Sequence, residues 1–533
     1  MTKNYSVGNI LLGVLAIATI RDFLEVTLQG LFVLYPEDPL YSLKNYFLHY
    51  NSFYFLIFAS LPLVLFLFLR KNASISLCYK LGALAMTLIW VGPLFDYFVV
   101  GSFEMFYPRD PLSVVCNIHH LADPSYNYEG LSKGMRLEII LVGLGGGYYL
   151  YHKTKKVFRS VCGGICLSAT CLAIGLLVPF LTQYYEYGFN FGYHKLYDST
   201  LLNQGFVIHG VGSKIALLYL FLSGLLFAVA YYFRNPKRFI SIINNFRWSR
   251  SIHYILLFIA GLVFIYNNPP VPDSTYESHF DYLTTIWNHP IDLFGIFMAS
   301  LSIFLSFQSA VIFNDICDYD IDIVSNATRP LVNKSIPLKE YSLIGKLFAI
   351  LALTIAFCIS ETFFFLVLLY HFFAFLYSTP PFRLRKFFLL SNIVLATIFT
   401  LTFHAGAAVL ISNYQFENIP PYITFGLIIC YALALVAKDS KDYKGDKKSN
   451  IQTLYTLFGK KSGNVLTSLF ICSSILLTPF LLHLKTLFVF SVAICISFLL
   501  VITKIKNNET KEILVISLYY TFMLILFFSL VKS

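Results

Sequence analysis

The sequence predicts an all-α protein that crosses a membrane many times. Of its 533 residues, 57% are hydrophobic and only 13% are charged, which is more apolar material than a soluble core requires. The apolar residues form runs close to the ~20 residues that a helix needs to span a bilayer. The net charge of +11 could indicate a nucleic-acid partner. However, Lys and Arg concentrate in alternate loops between the runs, as the positive-inside rule describes, so we expect a lipid bilayer and no nucleic acid.

Fifteen apolar runs follow one another along the chain. Six lie before residue 240, at about 8–34, 52–69, 81–101, 137–151, 161–182 and 213–233, and the fourth of these is short and glycine-rich. Nine more lie at about 252–267, 290–313, 342–359, 361–378, 388–411, 420–437, 464–481, 485–503 and 512–530. If the N-terminus is cytoplasmic, the basic loops are cytoplasmic as well, and the C-terminus lies on the opposite side.

The polar, basic stretch 234–250 is the best candidate for a domain boundary. We therefore predict an N-terminal membrane domain of about six helices at 1–240 and a second domain of nine helices at 241–533. The ten cysteines are scattered and lie largely inside apolar runs, so we expect buried free thiols.

Two stretches carry aspartates at the same offsets of 0, 3 and 7. They are Asp315, Asp318 and Asp322 in NDICDYDID, and Asp439, Asp442 and Asp446 in KDSKDYKGD. These offsets place three carboxylates on one face of a helix, from which Asp320 points away. Charges this dense beside an apolar run are costly unless a cation pairs with them, and Mg2+ prefers carboxylate and phosphate oxygens. The alternative, a solvated helix end with ordinary Asp–Lys pairs, does not explain why the offsets occur twice.

The first stretch, from Asn314 to Asp322 with Arg329-Pro330 after it, resembles the first aspartate-rich motif of the UbiA superfamily of intramembrane prenyltransferases. The second, from Lys438 to Asp446, looks like the second motif, and 377–385 is similar to the segment that ends the family's fourth helix. The resemblance covers about 241–533. It implies a nine-helix UbiA-type bundle, preceded here by the six further helices, and Mg2+-dependent transfer of a prenyl group from a prenyl diphosphate to a lipophilic or aromatic acceptor.

The resemblance also implies roles for individual residues. One Mg2+ ion would be held by Asp315, Asp318 and Asp322, and the other by Asp439, Asp442 and Asp446. The catalytic carboxylates among them would be Asp315, Asp318, Asp439 and Asp442. Asn314 could complete the first ion's ligands, and Tyr377 could stabilise positive charge on the prenyl chain. Phosphate oxygens would be contacted by Arg329, Arg383, Arg385 and Lys438, although a plain positive-inside anchor explains the basic residues at 383–386 almost as well.

The acceptor is less defined. Many family members have a tyrosine three residues before the lysine of the second motif, where this chain has Leu435. The motifs look most like members that prenylate homogentisate, chlorophyllide or a glycerophosphate lipid, and acids such as 4-hydroxybenzoate stay possible. Two alternatives to an enzyme are a transporter with a cytoplasmic divalent cation site and an inactive scaffold. Acidic groups concentrated at cytoplasmic helix ends disfavour a transport pathway, and two complete aspartate sets disfavour an inactive relative.

The N-terminal region has charged residues inside its apolar runs. Arg21, Asp22 and Glu25 lie in the first run and Asp96 lies in the third. Arg21 and Glu25 are four residues apart and can pair on one helix face. At that depth such charges face the interior of the bundle, either as a structural ion pair or as a site for a polar headgroup or acceptor.

Overall fold

The protein is an all-α, multi-pass membrane protein. In this computed structural model the described residues are 7–29, 39–101, 110–128, 130–187, 200–203, 207–208, 210–268, 289–411, 414–440 and 443–504, with scattered positions between 514 and 529. Eleven helices within them are long and apolar enough to cross a membrane. By their contacts the residues divide into two units, and each is described by itself. The first unit is Met1–Phe239 with Trp287–Gly295, and the second is Ile240–Ile286 with Ile296–Ser533.

Six long helices make up most of the first unit. They are α1 (Val7–Gln29), α2 (Pro39–Leu69), α3 (Ile75–Val100), α4 (Lys133–Thr154), α5 (Val157–Tyr187) and α6 (Val211–Arg234). Shorter helices lie at Pro111–Cys116 and Thr200–Asn203. Each of the six predicted N-terminal spans coincides with one of these helices, but α4, at the fourth, is not among the eleven that are long and apolar enough to cross a membrane. The end of the first span lies outside the described residues.

Glycines allow α4, which coincides with the short fourth predicted span, to pack closely against α5. A Cβ atom on Gly164 of α5 would lie 2.6 Å from the Gly143 carbonyl oxygen of α4. A Cβ atom on Gly147 of α4 would lie 3.1 Å from the Ser160 carbonyl oxygen of α5. Small residues let two membrane helices approach backbone to backbone, which is a main source of their packing energy in lipid.

Along the described part of the chain, α7 (Pro236–Asn245) is followed by nine α-helices up to residue 481 and by one more after it. They are α8 (Trp248–Asn267), α9 (Pro290–Cys317), α10 (Tyr319–Ser325), α11 (Leu338–Ile359), α12 (Glu361–Ser378), α13 (Phe388–Ala408), α14 (Pro421–Ala434), α15 (Tyr443–Lys448) and α16 (Leu454–Leu481). The last helix with described bounds is α17 (Lys485–Lys504). Eight of the nine C-terminal spans predicted from the sequence coincide with helices. The ninth, at 512–530, lies largely outside the described residues.

Close packing of small residues also holds the second unit together. A Cβ on Gly261 of α8 would overlap the Phe403 carbonyl oxygen of α13, and a Cβ on Gly406 of α13 would overlap the Phe258 carbonyl oxygen of α8. The two helices therefore touch through reciprocal glycines. α13 is buried along much of its length, from Ala396 to Ala408 with few interruptions, so it lies at the centre of the unit.

Candidate functional site: a cluster of aspartates and arginines

The first aspartate motif lies where α9 ends and α10 begins. Asp315 is in the last turn of α9, Asp318 lies between the two helices, and Asp322 is in α10. The sequence predicted one continuous helix, and this is wrong, because the α-helix is interrupted at Asp318. The interruption has a physical consequence, since it lets Asp318 contact different cations from those of Asp315 and Asp322. Three like charges on one helix face would otherwise repel one another.

Asp315 is buried and accepts hydrogen bonds from four side chains. Arg329 lies 2.5 Å from its Oδ1 atom and Arg247 lies 2.8 Å from the same oxygen. The Tyr341 hydroxyl donates to Oδ2 at 2.9 Å and the Asn245 amide donates to Oδ2 at 3.1 Å. Asn245 also donates to the Tyr341 hydroxyl, at 2.7 Å. Two cations and two neutral donors therefore offset the cost of burying this carboxylate.

Arg329 joins the two ends of the first motif. The same guanidinium nitrogen lies 2.5 Å from Asp315 Oδ1 and 2.5 Å from Asp322 Oδ2. Burial raises the pKa of Asp322 from 3.8 to about 6, although the positive charge of Arg329 acts in the opposite direction. Burial thus brings the pKa of Asp322 closer to neutral pH than the ordinary value of an aspartate.

Arg385 joins the first motif to the second. It forms an ion pair with Asp318 Oδ2 and lies 3.4 Å from Asp446 Oδ1. Arg383 donates to Asp318 Oδ1 at 3.1 Å. Arg383 adopts a left-handed backbone conformation, with φ of 40°, that is uncommon for a residue with a side chain. Such conformations collect at functional sites, and this one belongs to the turn that presents both arginines to Asp318.

The second motif is not a continuous α-helix either. After α14 the chain forms a 3-10 helix at 435–440, and Asp446 lies in α15. α15 packs directly on α10, because a Cβ on Gly445 would lie 2.6 Å from Ser325 Oγ and 2.8 Å from Ile321 Cγ2. The glycine of the second motif therefore permits the contact that brings Asp446 towards the first motif.

Burial differs sharply between the acids and the bases. The side chains of Asp315, Asp318, Asp322 and Asp446 are only 1–3% exposed, whereas those of Arg247, Arg329, Arg383 and Arg385 are 12–23% exposed. The arginines thus cover the carboxylates and keep part of their own surface accessible. Four carboxylates and four guanidinium groups balance one another in charge, and ionic partners of this kind can be exchanged for others of the same sign.

Among the described residues, no group of three or more His, Cys, Asp or Glu side chains is arranged to hold a metal ion. Arginines instead contact the oxygens of these aspartates. The donor set nevertheless suits a hard divalent cation, because it consists of carboxylate oxygens with an asparagine amide nearby. Buried carboxylates that already require cationic partners would accept such an ion in place of a guanidinium group.

The other predicted residues make contacts apart from these ion pairs or lie outside the described part. Asn314 accepts a hydrogen bond from Ser378 at 3.1 Å, and Tyr377 is half-buried at the end of α12. Lys438 donates to the Asn392 side chain of α13 at 2.6 Å. The Asp439 side chain and all of Asp442 lie outside the described residues. Asp320 is exposed, as expected for a residue that points away from the motif.

Sequence reasoning missed three residues of the cluster. Arg247 was interpreted only as one of the basic loop residues, and nothing in the sequence singled out Asn245 or Tyr341. The nearest signal was the dense basic stretch at 234–250, which precedes α8. A direct contact between this stretch and Asp315, 68 residues further along, required the structure.

Residues 283–527 match the model of the UbiA prenyltransferase family. The digeranylgeranylglyceryl phosphate synthase of Methanocaldococcus jannaschii is 25% identical to this chain, in a match that covers 42% of this chain and 78% of that protein. The homogentisate phytyltransferase of Synechocystis sp. is 29% identical, over 33% of this chain and 58% of that protein.

Two solved structures are also similar. A UbiA homologue from Archaeoglobus fulgidus, bound to DMAPP and Mg2+, has a TM-score of 0.36 at 17% identity and covers 52% of this chain and 96% of that one. A UbiA homologue from Aeropyrum pernix K1 has a TM-score of 0.38 at 14% identity, over 51% and 98%. The assignment rests on the family match and on the prenyltransferases among the relatives. Residues 283–527 therefore form a region that matches the UbiA prenyltransferase family, as the two aspartate motifs predicted, and the chain is a membrane prenyltransferase.

Proposed function

We propose that the chain transfers a prenyl group from a prenyl diphosphate to a lipophilic or aromatic acceptor within the membrane, and that Mg2+ is required. The observation that carries this proposal is the single cluster in which Arg385 joins Asp318 of the first motif to Asp446 of the second. A site that combines buried carboxylates with accessible arginines can bind a metal ion and a diphosphate together.

Binding of the donor begins, in this proposal, with the arginines. Arg329, Arg383 and Arg385 are 12–22% exposed, and Arg side chains bind phosphate oxygens through two parallel hydrogen bonds. A diphosphate would compete with the aspartates for these guanidinium groups. Each guanidinium that turns to the phosphate leaves a buried carboxylate without its cation. Binding of the diphosphate and of a divalent cation should therefore favour each other.

We assign the carboxylates of the two motifs to two Mg2+ ions. Asp315, Asp318 and Asp322 would hold one ion with help from Asn314, and Asp439, Asp442 and Asp446 would hold the other. Bound Mg2+ would neutralise the diphosphate and make it a better leaving group. Asp315, Asp318, Asp439 and Asp442 are the carboxylates that we expect to matter most for the rate, and Lys438 would add a further positive charge near the phosphates.

The prenyl carbon loses its bond to the diphosphate oxygen, which departs with the electron pair. Positive charge then develops on that carbon, and an aromatic face can stabilise it. Tyr377, at the end of α12 next to Ser378 and the arginine turn, is our candidate for this role. The acceptor supplies the electron pair of the new bond and releases a proton. By analogy with the relatives, a glycerophosphate lipid and homogentisate are the first acceptors to test.

We further propose that 241–533 is the catalytic domain and 1–240 a separate N-terminal membrane domain. Alternation of basic loops supports a cytoplasmic N-terminus, cytoplasmic aspartate motifs and a C-terminus on the opposite side. A cysteine introduced at the exposed Lys334, in a chain without other cysteines, should then react with a membrane-impermeant maleimide only after permeabilisation of intact cells. Reaction without permeabilisation would indicate the opposite topology, with the aspartate motifs outside the cytoplasm.

The activity can be tested with the full chain in lipid vesicles, radiolabelled geranylgeranyl diphosphate, Mg2+ and a panel of acceptors. We expect a labelled lipid product that is lost with EDTA and with Asp315→Ala. Asp320→Asn is the matched control, because it removes an exposed carboxylate of the same motif. Mg2+-dependent donor binding without any product would mean that the acceptor panel is wrong. Neither binding nor product, in folded protein, would refute the proposed function.

A further inference from the structure

The first unit contains a long apolar cavity of about 490 Å3. Its walls come from α2, α3, α4 and α5, with Val114 and Leu131 beside them. One end lies near Leu131, Met135 and Leu172, and the other lies near Leu65, Tyr149 and Leu167. From Met135 to Tyr149 an α-helix rises about 20 Å, at ~1.5 Å per residue. A cavity of this length and volume is narrow, so it suits one extended hydrocarbon chain better than a compact ring system.

One charged residue lines this cavity within the part of the chain that the structure describes. Glu138, in the second turn of α4, is half-buried, and its Oε1 atom accepts a hydrogen bond from the Gly92 backbone nitrogen at 2.7 Å. A Cβ atom on Gly92 would overlap this carboxyl group, so a glycine is needed for the contact. The backbone of α3 therefore holds the Glu138 carboxyl at the end of an otherwise apolar cavity.

Among the described residues, Arg21 is the cation whose charge acts on Glu138, and it is already engaged. Arg21 forms an ion pair with Glu25 and lies 4.9 Å from the centre of the Tyr54 ring, which also lines the cavity. A phosphate or carboxylate head group would therefore meet the Glu138 carboxyl without a cation of its own. A neutral hydroxyl can donate a hydrogen bond to Glu138 and brings no net charge into the membrane interior.

We propose that this cavity binds a single-chain lipid alcohol, with its hydroxyl at Glu138 and its chain extending towards Tyr149 and Leu167. A prenol and a straight-chain fatty alcohol share this chemistry. The proposal concerns the first unit alone and does not depend on the proposed prenyl transfer.

Two glycines provide a matched pair of variants. Gly175 of α5 lines the cavity, whereas Gly224 of α6 does not, and both are half-buried helical positions where an added Cβ would meet no atom within 4 Å. Gly175→Leu should fill the cavity without displacing a neighbour, and Gly224→Leu adds the same side chain elsewhere. Both changes also remove a helical glycine, so their intrinsic effect on helix stability is the same.

The test uses the full chain in vesicles with two photoreactive probes, geranylgeraniol and hexadecanol, each with a diazirine in its chain. Controls are a hexadecane probe without a head group and a hexadecylamine probe. We expect both alcohols, or one of them, to label α2, α4 or α5. Labelling should fall about tenfold in Glu138→Leu, which loses one hydrogen bond to an acidic group, and also in Gly175→Leu, with no change in Gly224→Leu. Whichever alcohol labels more strongly identifies the chain type.

Several outcomes would overturn the proposal. Equal labelling by hexadecane, or full labelling of Glu138→Leu by the alcohols, would show an unselective lipid crevice. Stronger labelling by hexadecylamine would assign the site to a cationic lipid instead. Labelling that Gly175→Leu does not reduce would place the alcohol outside the cavity, and absence of any labelling would show that the cavity does not bind these alcohols.

Discussion

Two buried charge clusters can be compared, one in each unit. In the first unit, Arg21 and Glu25 are fully buried and belong to the same helix, one turn apart. In the second unit, Arg385 joins two aspartates that are 128 positions apart in the sequence, and its side chain is 12% exposed. The first ion pair lies within one helix and is buried, whereas the second cluster is assembled from distant segments and is accessible at its basic side chains.

This difference indicates what each cluster can do. Arg21 has no exposed surface through which a ligand could compete with Glu25, so we interpret the pair as structural, which was one of the two readings that the sequence left open. In our proposal, the partly exposed arginines of the second cluster exchange carboxylates for phosphate oxygens. The carboxylates are buried in both clusters, so we use the exposure of the arginine to distinguish a proposed binding site from a structural ion pair.

The largest expected effect comes from Asp315. Asp315→Asn keeps the size of the side chain and the contacts with Asn245 and Tyr341, but removes the charge that Arg247 and Arg329 share. We expect turnover to fall about 1000-fold, since groups that stabilise developing charge contribute factors of ~100 to 1000 or more. The measurement is prenyl transfer per folded molecule, with Asp320→Asn as the control. Comparable losses in both variants would contradict a specific role for Asp315.

Arg21 gives the next largest effect, on stability. Arg21→Met leaves Glu25 buried without the partner in its own helix, and breaking a buried pair from one side costs about 3 kcal/mol or more. Arg21→Met/Glu25→Met replaces both charges with apolar side chains and should recover much of that loss. The measurement is the thermal unfolding temperature of the protein in detergent.

Prenyl transfer per folded molecule should stay unchanged in both Arg21 variants. A double variant that stays folded but loses prenyl transfer would show that the N-terminal cluster is a site, and the comparison between the two clusters would fail.

The sequence predicted the helices better than it predicted the site. Apolar runs fix where membrane helices lie, because burial in lipid requires ~20 apolar residues in a row. The Arg21–Glu25 pair was predictable as well, since it depends only on spacing within one helix. The interruption at Asp318 was not predictable, because the aspartate offsets continue through it as they would in one helix. The cations that Asp318 contacts, Arg383 and Arg385, come from another part of the chain. The role of Arg247 was not predictable either, because its contact with Asp315 joins two distant parts of the chain.

Gly445 should give a smaller effect. Gly445→Ala places a methyl group within 2.6 Å of Ser325 Oγ and 2.8 Å of Ile321 Cγ2, so α15 must shift away from α10. Overpacking of this kind costs about 1–3 kcal/mol, and here it moves Asp446 relative to the first motif. We expect Mg2+-dependent donor binding to weaken about tenfold. Gly224→Ala, where the added methyl group meets no atom, is the control. Unchanged donor binding in Gly445→Ala would argue against a shared site for the two motifs.

The smallest effect is the pH dependence that Asp322 produces. Its pKa is raised from 3.8 to about 6 in the folded protein. A raised pKa means that the folded state favours the protonated carboxyl, so this contribution to stability is present at low pH and is lost as the pH rises through 6. Between about pH 5 and pH 7, Asp322 should therefore lower the unfolding temperature of the ligand-free protein slightly.

Donor binding should change in the opposite direction over the same interval. A cation and Arg329 both interact better with ionised Asp322, so we expect Mg2+-dependent donor affinity to rise severalfold between about pH 5 and pH 7. Asp322→Asn should flatten both profiles, because it removes the titrating group. If neither stability nor affinity changed over this interval in the unmodified protein, Asp322 would already be ionised at the lower pH. Its proposed exchange between Arg329 and a metal ion would then lose its support.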